Sequence, residues 1–307
     1  MASTEARSLL RNCLIPAMAT PVTEDFAPDA ARMAARARAL LGDGADGVAL
    51  FGTTGEGPHF PVAQRQAALE QVIAGGLPPD RLIVAANAVA LADVISLARH
   101  AVAVGAAAVL LMPPFFLRGA TSEAGVERFY DAVIAACSEP RLRVILYHFP
   151  DISGFAFTPP LIRRLVERHG PAIVGIKDSG GDWAVTSAFI GAFPELAVMT
   201  GTEVHIHRVV DAGGAGTICG LGNVMPRLLR RLLDRPALAD QLVPSIQAMD
   251  DALSAHPFVP ACKAVIAELT GDAAWRRVMP PMSALAEAQR TGLLDRIRDL
   301  LALTQSR

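Results

Sequence analysis

The sequence predicts an α/β protein, a (β/α)8 TIM barrel with a C-terminal helical appendage. Three observations carry that expectation. Eight short apolar runs recur along the first 236 residues, and amphipathic stretches with helix start and stop signals separate them. The runs are mostly continuous rather than alternating, as in strands buried on both faces. The connections are short, so each helix returns to the sheet beside the strand it follows.

In order, the runs are CLIPAMATPV (13–22), DGVALFG (46–52), RLIVAAN (81–87), AAVLLMPP (107–114), RVILYHFP (143–150), IVGIKDS (173–179), LAVMTGT (196–202) and GTICGL (216–221). Helical patterns follow at 29–42, 61–76, 91–104, 121–137, 158–170, 182–193, 203–212 and 223–235. The fifth, FTPPLIRRLVERHG, sets Thr158 as N-cap, Pro159 at the first helical position and Gly170 past the end. The segments GADGVALFG, GAAAVLLMPP and GGAGTICGL share a small-residue turn leading into a strand, as expected for tight loops on the barrel's bottom face. After about residue 236 the strand signals stop, and helices read on with breaks near His256-Pro257 and Met279-Pro280-Pro281. The expected organisation is a catalytic barrel over 1–236 and a helical region over 237–307. An open doubly wound sheet is disfavoured, because no GxGxxG follows the first strand.

Composition excludes several functions. Net charge is −2, with 28 Lys+Arg against 30 Asp+Glu, which gives no electrostatic footprint for nucleic acid or an anionic membrane. The uncharged run 101–117 contains Gly105 and Pro113-Pro114 and falls short of a membrane span. The N-terminus lacks the apolar core of a signal peptide, so a cytoplasmic protein is expected. The four cysteines show no CxxC spacing and suggest neither zinc ribbon nor disulfide scaffold.

Barrel active sites lie at the C-terminal ends of the strands. Those ends carry Gly52-Thr53-Thr54-Gly55-Glu56-Gly57, Phe115-Phe116, Tyr147, Lys177-Asp178, Thr202-Glu203 and Cys219. Only two of the 28 basic residues are lysines, Lys177 and Lys263, and only two tyrosines occur, Tyr130 and Tyr147. Lys177 sits inside AIVGIKDSGG, a run buried on both faces. Desolvation disfavours the charged ammonium, which suits an amine that adds to a carbonyl. The alternative is a lysine that snorkels out or pairs with Asp178. Tyr147, one strand earlier, has a phenol able to take and return a proton; alternatively it is a core aromatic. The Gly-flanked GTTGEG turn is suited to cradle a carboxylate on its N–H groups, or is an ordinary loop. His205 and His207 lack a third ligand nearby, so no metal is expected. His148 points to the opposite face from Tyr147. Cys219 reads as a small core residue at the rim, and Lys263, in PACKAVIAEL, reads as surface or interface.

GTTGE after strand 2, Tyr-x-x-Pro on strand 5 and GIKDSGGD on strand 6 together resemble the dihydrodipicolinate synthase / N-acetylneuraminate lyase family, over essentially the whole chain. The resemblance implies a class I aldolase. Lys177 forms an imine with pyruvate or another 2-oxo acid, and Tyr147 relays protons. Thr53 and Thr54, with Gly52, hold the carboxylate. It implies no metal or organic cofactor, a small-molecule 2-oxo acid and an aldehyde as partners, and a homo-oligomer, dimer or tetramer. Phe116, Ile152, Glu203 and Cys219 complete the implied substrate-binding rim.

The departures narrow the substrate. Dihydrodipicolinate synthases typically carry an arginine two residues past the strand 5 proline and a tyrosine after strand 4 that reaches the neighbouring subunit; here those places hold Ile152 and Phe116. Neither apolar side chain can replace a hydrogen-bonding group. With Phe115 and Phe149 they suggest a less polar second pocket, open to aryl or alkyl 2-oxo acids. The leading expectation is a Schiff-base lyase or aldolase of a 2-keto-3-deoxy acid or related substrate. The alternatives are a 4-hydroxy-tetrahydrodipicolinate synthase with an atypical semialdehyde site, and a non-catalytic 2-oxo acid binder.

Overall fold

The structure is a computed structural model describing residues 9–305. Its eight strands are β1 Cys13–Pro16, β2 Val48–Leu50, β3 Leu82–Ala85, β4 Ala108–Leu111, β5 Val144–His148, β6 Ile173–Asp178, β7 Ala197–Thr200 and β8 Gly216–Cys219. All pair in parallel in the order β1-β8-β7-β6-β5-β4-β3-β2. A parallel bridge between Ala17 and Ala49 brings β1 onto β2 and closes the ring. The helices following the strands are α1 Ala30–Gly42, α2 Val62–Ala74, α3 Leu91–Ala103, α4 Glu123–Cys137, α5 Pro159–His169, α6 Trp183–Ala192, α7 Ile206–Asp211 and α8 Pro226–Asp234. Then come α9 Ala239–Ser254, α10 Phe258–Thr270 and α11 Glu287–Gln305.

Local chemistry explains these boundaries. Side-chain oxygens cap α1 from Asp29, α4 from Ser122, α5 from Thr158 and α6 from Asp182. The three small-residue turns entering β2, β4 and β8 each hold a left-handed glycine: Gly44 at φ 98°, Gly105 at φ 85° and Gly213 at φ 85°. Side chains rarely tolerate that backbone, so glycine allows the short loop. The strands are shorter than the apolar runs. The run 13–22 contributes only Cys13–Pro16, and its continuation through Ala17, Met18 and Ala19 is buried rim rather than sheet. Likewise the helical pattern at 203–212 resolves into a tight 3-10 turn, Glu203–His205, before α7. After β5, Pro150–Ser153 form one helical turn ended by Gly154 at φ 67°.

Three apolar clusters result. Cys13, Ile15, Ala49, Ile83, Ala85, Leu110, Ile145, Tyr147 and Met199 fill the barrel interior. A second layer joins the outer strand faces to α1–α6. A third joins Leu14, Ile206, Cys219 and Leu229 to Ile246, Ile266, Trp275 and Ile297, so α9–α11 share a core with the β1/β8 side of the barrel. Among the described residues no helix is long and apolar enough to cross a membrane.

Candidate active site

Parallel register brings the two rare polar residues together. Tyr147 on β5 lies opposite Lys177 on β6, which lies opposite Met199 on β7. Met199 and Tyr147 belong to the barrel interior, so Lys177 points inward as well. Its Nζ donates to the Tyr147 hydroxyl at 3.3 Å and sits 4.3 Å from the centre of that ring. The Thr53 hydroxyl lies 3.3 Å from the same phenol oxygen. Lys177 and Tyr147 are buried, while Thr53 is exposed at the mouth. A phenol thus stands between an amine below and a hydroxyl open to solvent. This arrangement can pass a proton between a bound molecule and the amine's surroundings.

The Thr53 turn is tightly wound. Phe51 and Glu56 both take left-handed backbone, at φ 59° and φ 55°. The Glu56 N–H closes onto the Thr53 carbonyl at 3.1 Å and the Gly57 N–H onto the Gly52 carbonyl at 3.2 Å. A Cβ at Gly57 would fall 1.8 Å from the Phe51 carbonyl oxygen, so only glycine fits. Gly52 is buried and Thr54 half-buried in this turn.

The remaining rim residues are placed less uniformly. Glu203 is buried at the end of β7, its Oε1 accepting the Leu221 N–H at 2.7 Å. Burial pushes its carboxyl up to about 7, which the Leu221 hydrogen bond and the Lys177 charge partly oppose. Cys219 is buried at the end of β8, where desolvation raises its thiol well above the ordinary range, as for a core residue. Phe116 projects into solvent at 73% exposure, and Ile152, on the turn after β5, is 38% exposed. Arg118 reaches that turn and donates to the Asp151 carbonyl at 2.6 Å. His148 does point away from the barrel interior. Its Nδ1 accepts the Phe157 N–H at 3.1 Å and its ring packs edge-on against Phe189. Burial lowers its pKa, with Asp178 opposing.

One expectation is corrected. Lys263 is neither surface nor interface. It is fully buried in α10 and paired with Glu56, itself buried beneath the Thr53 turn. Sequence reading named both residues but missed their pairing. The available signal was composition: Ala261, Cys262, Ala264, Val265 and Ile266 surround Lys263, leaving the helix no polar face around it.

Among the described residues, no group of three or more His, Cys, Asp or Glu is arranged to hold a metal ion. A surface groove of about 780 Å³ runs between α10 and α11, lined by Glu268, Arg276, Arg290 and Arg298 among others; it shares no residue with the rim.

Known proteins resemble this chain along most of its length. The model of the dihydrodipicolinate synthetase family matches residues 11–300. An uncharacterized DapA-like lyase from Chloroflexus aurantiacus is 37% identical over 224 residues, covering 72% of this chain and 73% of that one. The crystal structure of dihydrodipicolinate synthase from Agrobacterium tumefaciens aligns with a TM-score of 0.88 at 29% identity, over 94% of this chain and 99% of that one. YagE from Escherichia coli K12, solved in complex with pyruvate, aligns with a TM-score of 0.84 at 27% identity, over 93% and 97%.

Proposed function

The chain belongs to the dihydrodipicolinate synthetase family, and from that premise we propose that it is a class I aldolase-type lyase. In this reading Lys177 forms an imine with pyruvate or a larger 2-oxo acid. The observation that carries it is the continuous line Lys177–Tyr147–Thr53, linked by two 3.3 Å contacts at the barrel mouth.

The chemistry follows from those positions. The Lys177 amine, in the unprotonated form that attack on a carbonyl requires, adds to the 2-oxo carbon, giving a carbinolamine. Tyr147 delivers a proton to the departing hydroxyl; water leaves and the C=N bond forms. The imine, once protonated, withdraws electrons from the neighbouring carbon. In a 4-hydroxy-2-oxo acid, removal of the hydroxyl proton breaks the C3–C4 bond. The electron pair moves onto the imine nitrogen as an enamine, and an aldehyde departs. Protonation at C3 and hydrolysis release pyruvate and restore Lys177. Run backwards, the enamine attacks an aldehyde. The N–H groups and hydroxyls of the Gly52–Gly55 turn hold the substrate carboxylate.

The second half of the substrate is an aldehyde with a neutral or apolar tail. Ile152 and Phe116 offer it no charge, and burying a carboxylate without a partner is strongly disfavoured. A homo-oligomer, dimer or tetramer, belongs to the same proposal, in which a partner covers the exposed Phe116 and Leu117.

Borohydride reduction in the presence of pyruvate tests the reading. One adduct is expected, mapped to Lys177 by peptide mass. The alternative target, Lys263, is sealed in its ion pair. Labelling at Lys263, or none, sinks the mechanism. A panel of 4-hydroxy-2-oxo acids scored by pyruvate release then finds the aldehyde.

A further inference from the structure

We propose that the buried Glu56–Lys263 ion pair is a positioning device, through which α10 and the segment Arg277–Met279 hold the Thr53 turn in register with Tyr147 and Lys177. This rests on the aldolase reading above.

The backbone supplies the first reason. Glu56 occupies a left-handed conformation, φ 55° and ψ 22°, between two glycines. A glycine would adopt that backbone freely, whereas a side chain strains it. The glutamate must therefore do something there that glycine cannot. Its carboxylate is completely buried and engaged on both sides. It pairs with the equally buried Lys263 ammonium, and its Oε2 accepts the Met279 N–H at 2.8 Å. The Lys263 Nζ also donates to the Arg277 carbonyl at 2.9 Å. The turn thus meets α10 and the segment after it, with Met279 223 residues away in the chain, at one point.

The second reason is the short path from that point to the chemistry. The Glu56 N–H is bonded to the Thr53 carbonyl at 3.1 Å, and the Thr20 hydroxyl fixes the Gly55 carbonyl at 2.6 Å. With Gly57 wedged against Phe51, the turn has no slack. A displacement of Glu56 therefore moves Thr53, whose hydroxyl is 3.3 Å from the Tyr147 phenol. An apolar pair of the same volume would serve stability equally well. What the ion pair adds is direction: its hydrogen bonds are satisfied in one arrangement of the three segments.

The test compares Glu56→Gln and Glu56→Asp with the wild type in pyruvate imine formation and in kcat and KM for turnover, well below each protein's unfolding transition. Leu232→Ala, on the buried face of α8, serves as a control that lowers the melting temperature without touching the turn. Both Glu56 variants are expected to slow imine formation and kcat by about 10–100-fold, the scale of a misplacement near 1 Å. Leu232→Ala is expected to keep wild-type kinetics. Glu56→Asp retains the charge and decides the question alone if Glu56→Gln does not fold. Wild-type kcat and KM in folded Glu56→Asp overturn the inference. An imine that forms equally fast in wild type and variants overturns the inference while leaving the aldolase reading intact. No imine in the wild type removes both.

Discussion

The chain's only two lysines are both buried, yet their surroundings differ in kind. Lys263 has a carboxylate, Glu56, and the Arg277 carbonyl. Burial pushes its pKa down, with Glu56 opposing, and its two acceptors hold the side chain in place. Lys177 makes no ion pair among the described residues; it faces the phenol of Tyr147 across 3.3 Å, below the exposed Thr53. The comparison teaches that burial alone does not make a lysine reactive. The proposed nucleophile is the one whose neighbour can exchange protons and is itself linked to an exposed hydroxyl, that of Thr53. The other is held by two acceptors and serves the scaffold.

The sharpest way to break this contrast is Tyr147→Phe. The proposal expects kcat to fall by about 10²–10⁴-fold, the range for a positioned acid–base group. The pyruvate adduct at Lys177 should still form, more slowly, with little change in melting temperature. Unchanged turnover removes Tyr147 from the mechanism.

Lys263→Met attacks the other lysine. It leaves the Glu56 carboxylate buried without its partner, at a cost of about 3–5 kcal/mol in unfolding free energy. The double variant Glu56→Gln/Lys263→Met should recover most of that stability, because no orphan charge remains. Urea denaturation reads both. A single variant as stable as the wild type would show that the pair is not a charged unit.

Glu203 offers a pH-dependent probe beside Lys177. Its folded carboxyl titrates near 7 against an ordinary value of 4.5, with burial as the main cause. Between those values the folded protein keeps a proton that the unfolded chain has lost. This contribution to stability is therefore complete below the ordinary value and disappears as pH rises through about 7. Glu203→Gln should flatten that slope in denaturation curves taken across the window. An unaltered slope assigns it to another group.

The smallest expected effect is at Ile152. The wild type should condense pyruvate with aspartate semialdehyde poorly, and Ile152→Arg should improve kcat/KM roughly tenfold, the equivalent of about 1.5 kcal/mol from one charge-assisted contact. Wild-type kcat/KM for the semialdehyde within about 10⁴–10⁸ M⁻¹s⁻¹ would overturn this and point to Arg118, already bound to the Asp151 carbonyl, as the substitute cation.

Much of the fold was legible because its causes are local. Continuous runs such as Ile173–Asp178 declare strands buried on both faces, and Thr158 with Pro159 and Gly170 declares both ends of α5. Alternation along β5 put Tyr147 and His148 on opposite faces, and the structure agrees. Tyr147 and Lys177 were legible as a pair because consecutive strands of a barrel are neighbours. Strand ends were less so: apolar character continues through Ala17 and Met18, where the chain has left the sheet but stays buried.

By itself, then, the sequence determined the eight βα units, the small-residue turns at the bottom, and the gathering of GTTGE, Tyr147 and Lys177 at one rim. Periodicity, capping and turn chemistry act over a few residues, and barrel topology orders the units. Only the tertiary structure decided the partners. Thr53 meets Tyr147 from 94 residues away, and Glu56 takes the Met279 N–H from 223 residues away. It also moved Lys263 from an expected surface position to the centre of a buried pair. A helix segment that is apolar all round does not say where a lone charge goes. The answer depends on which distant carboxylate the closed fold sets against it, and that contact exists only once the barrel and its C-terminal helices have packed together.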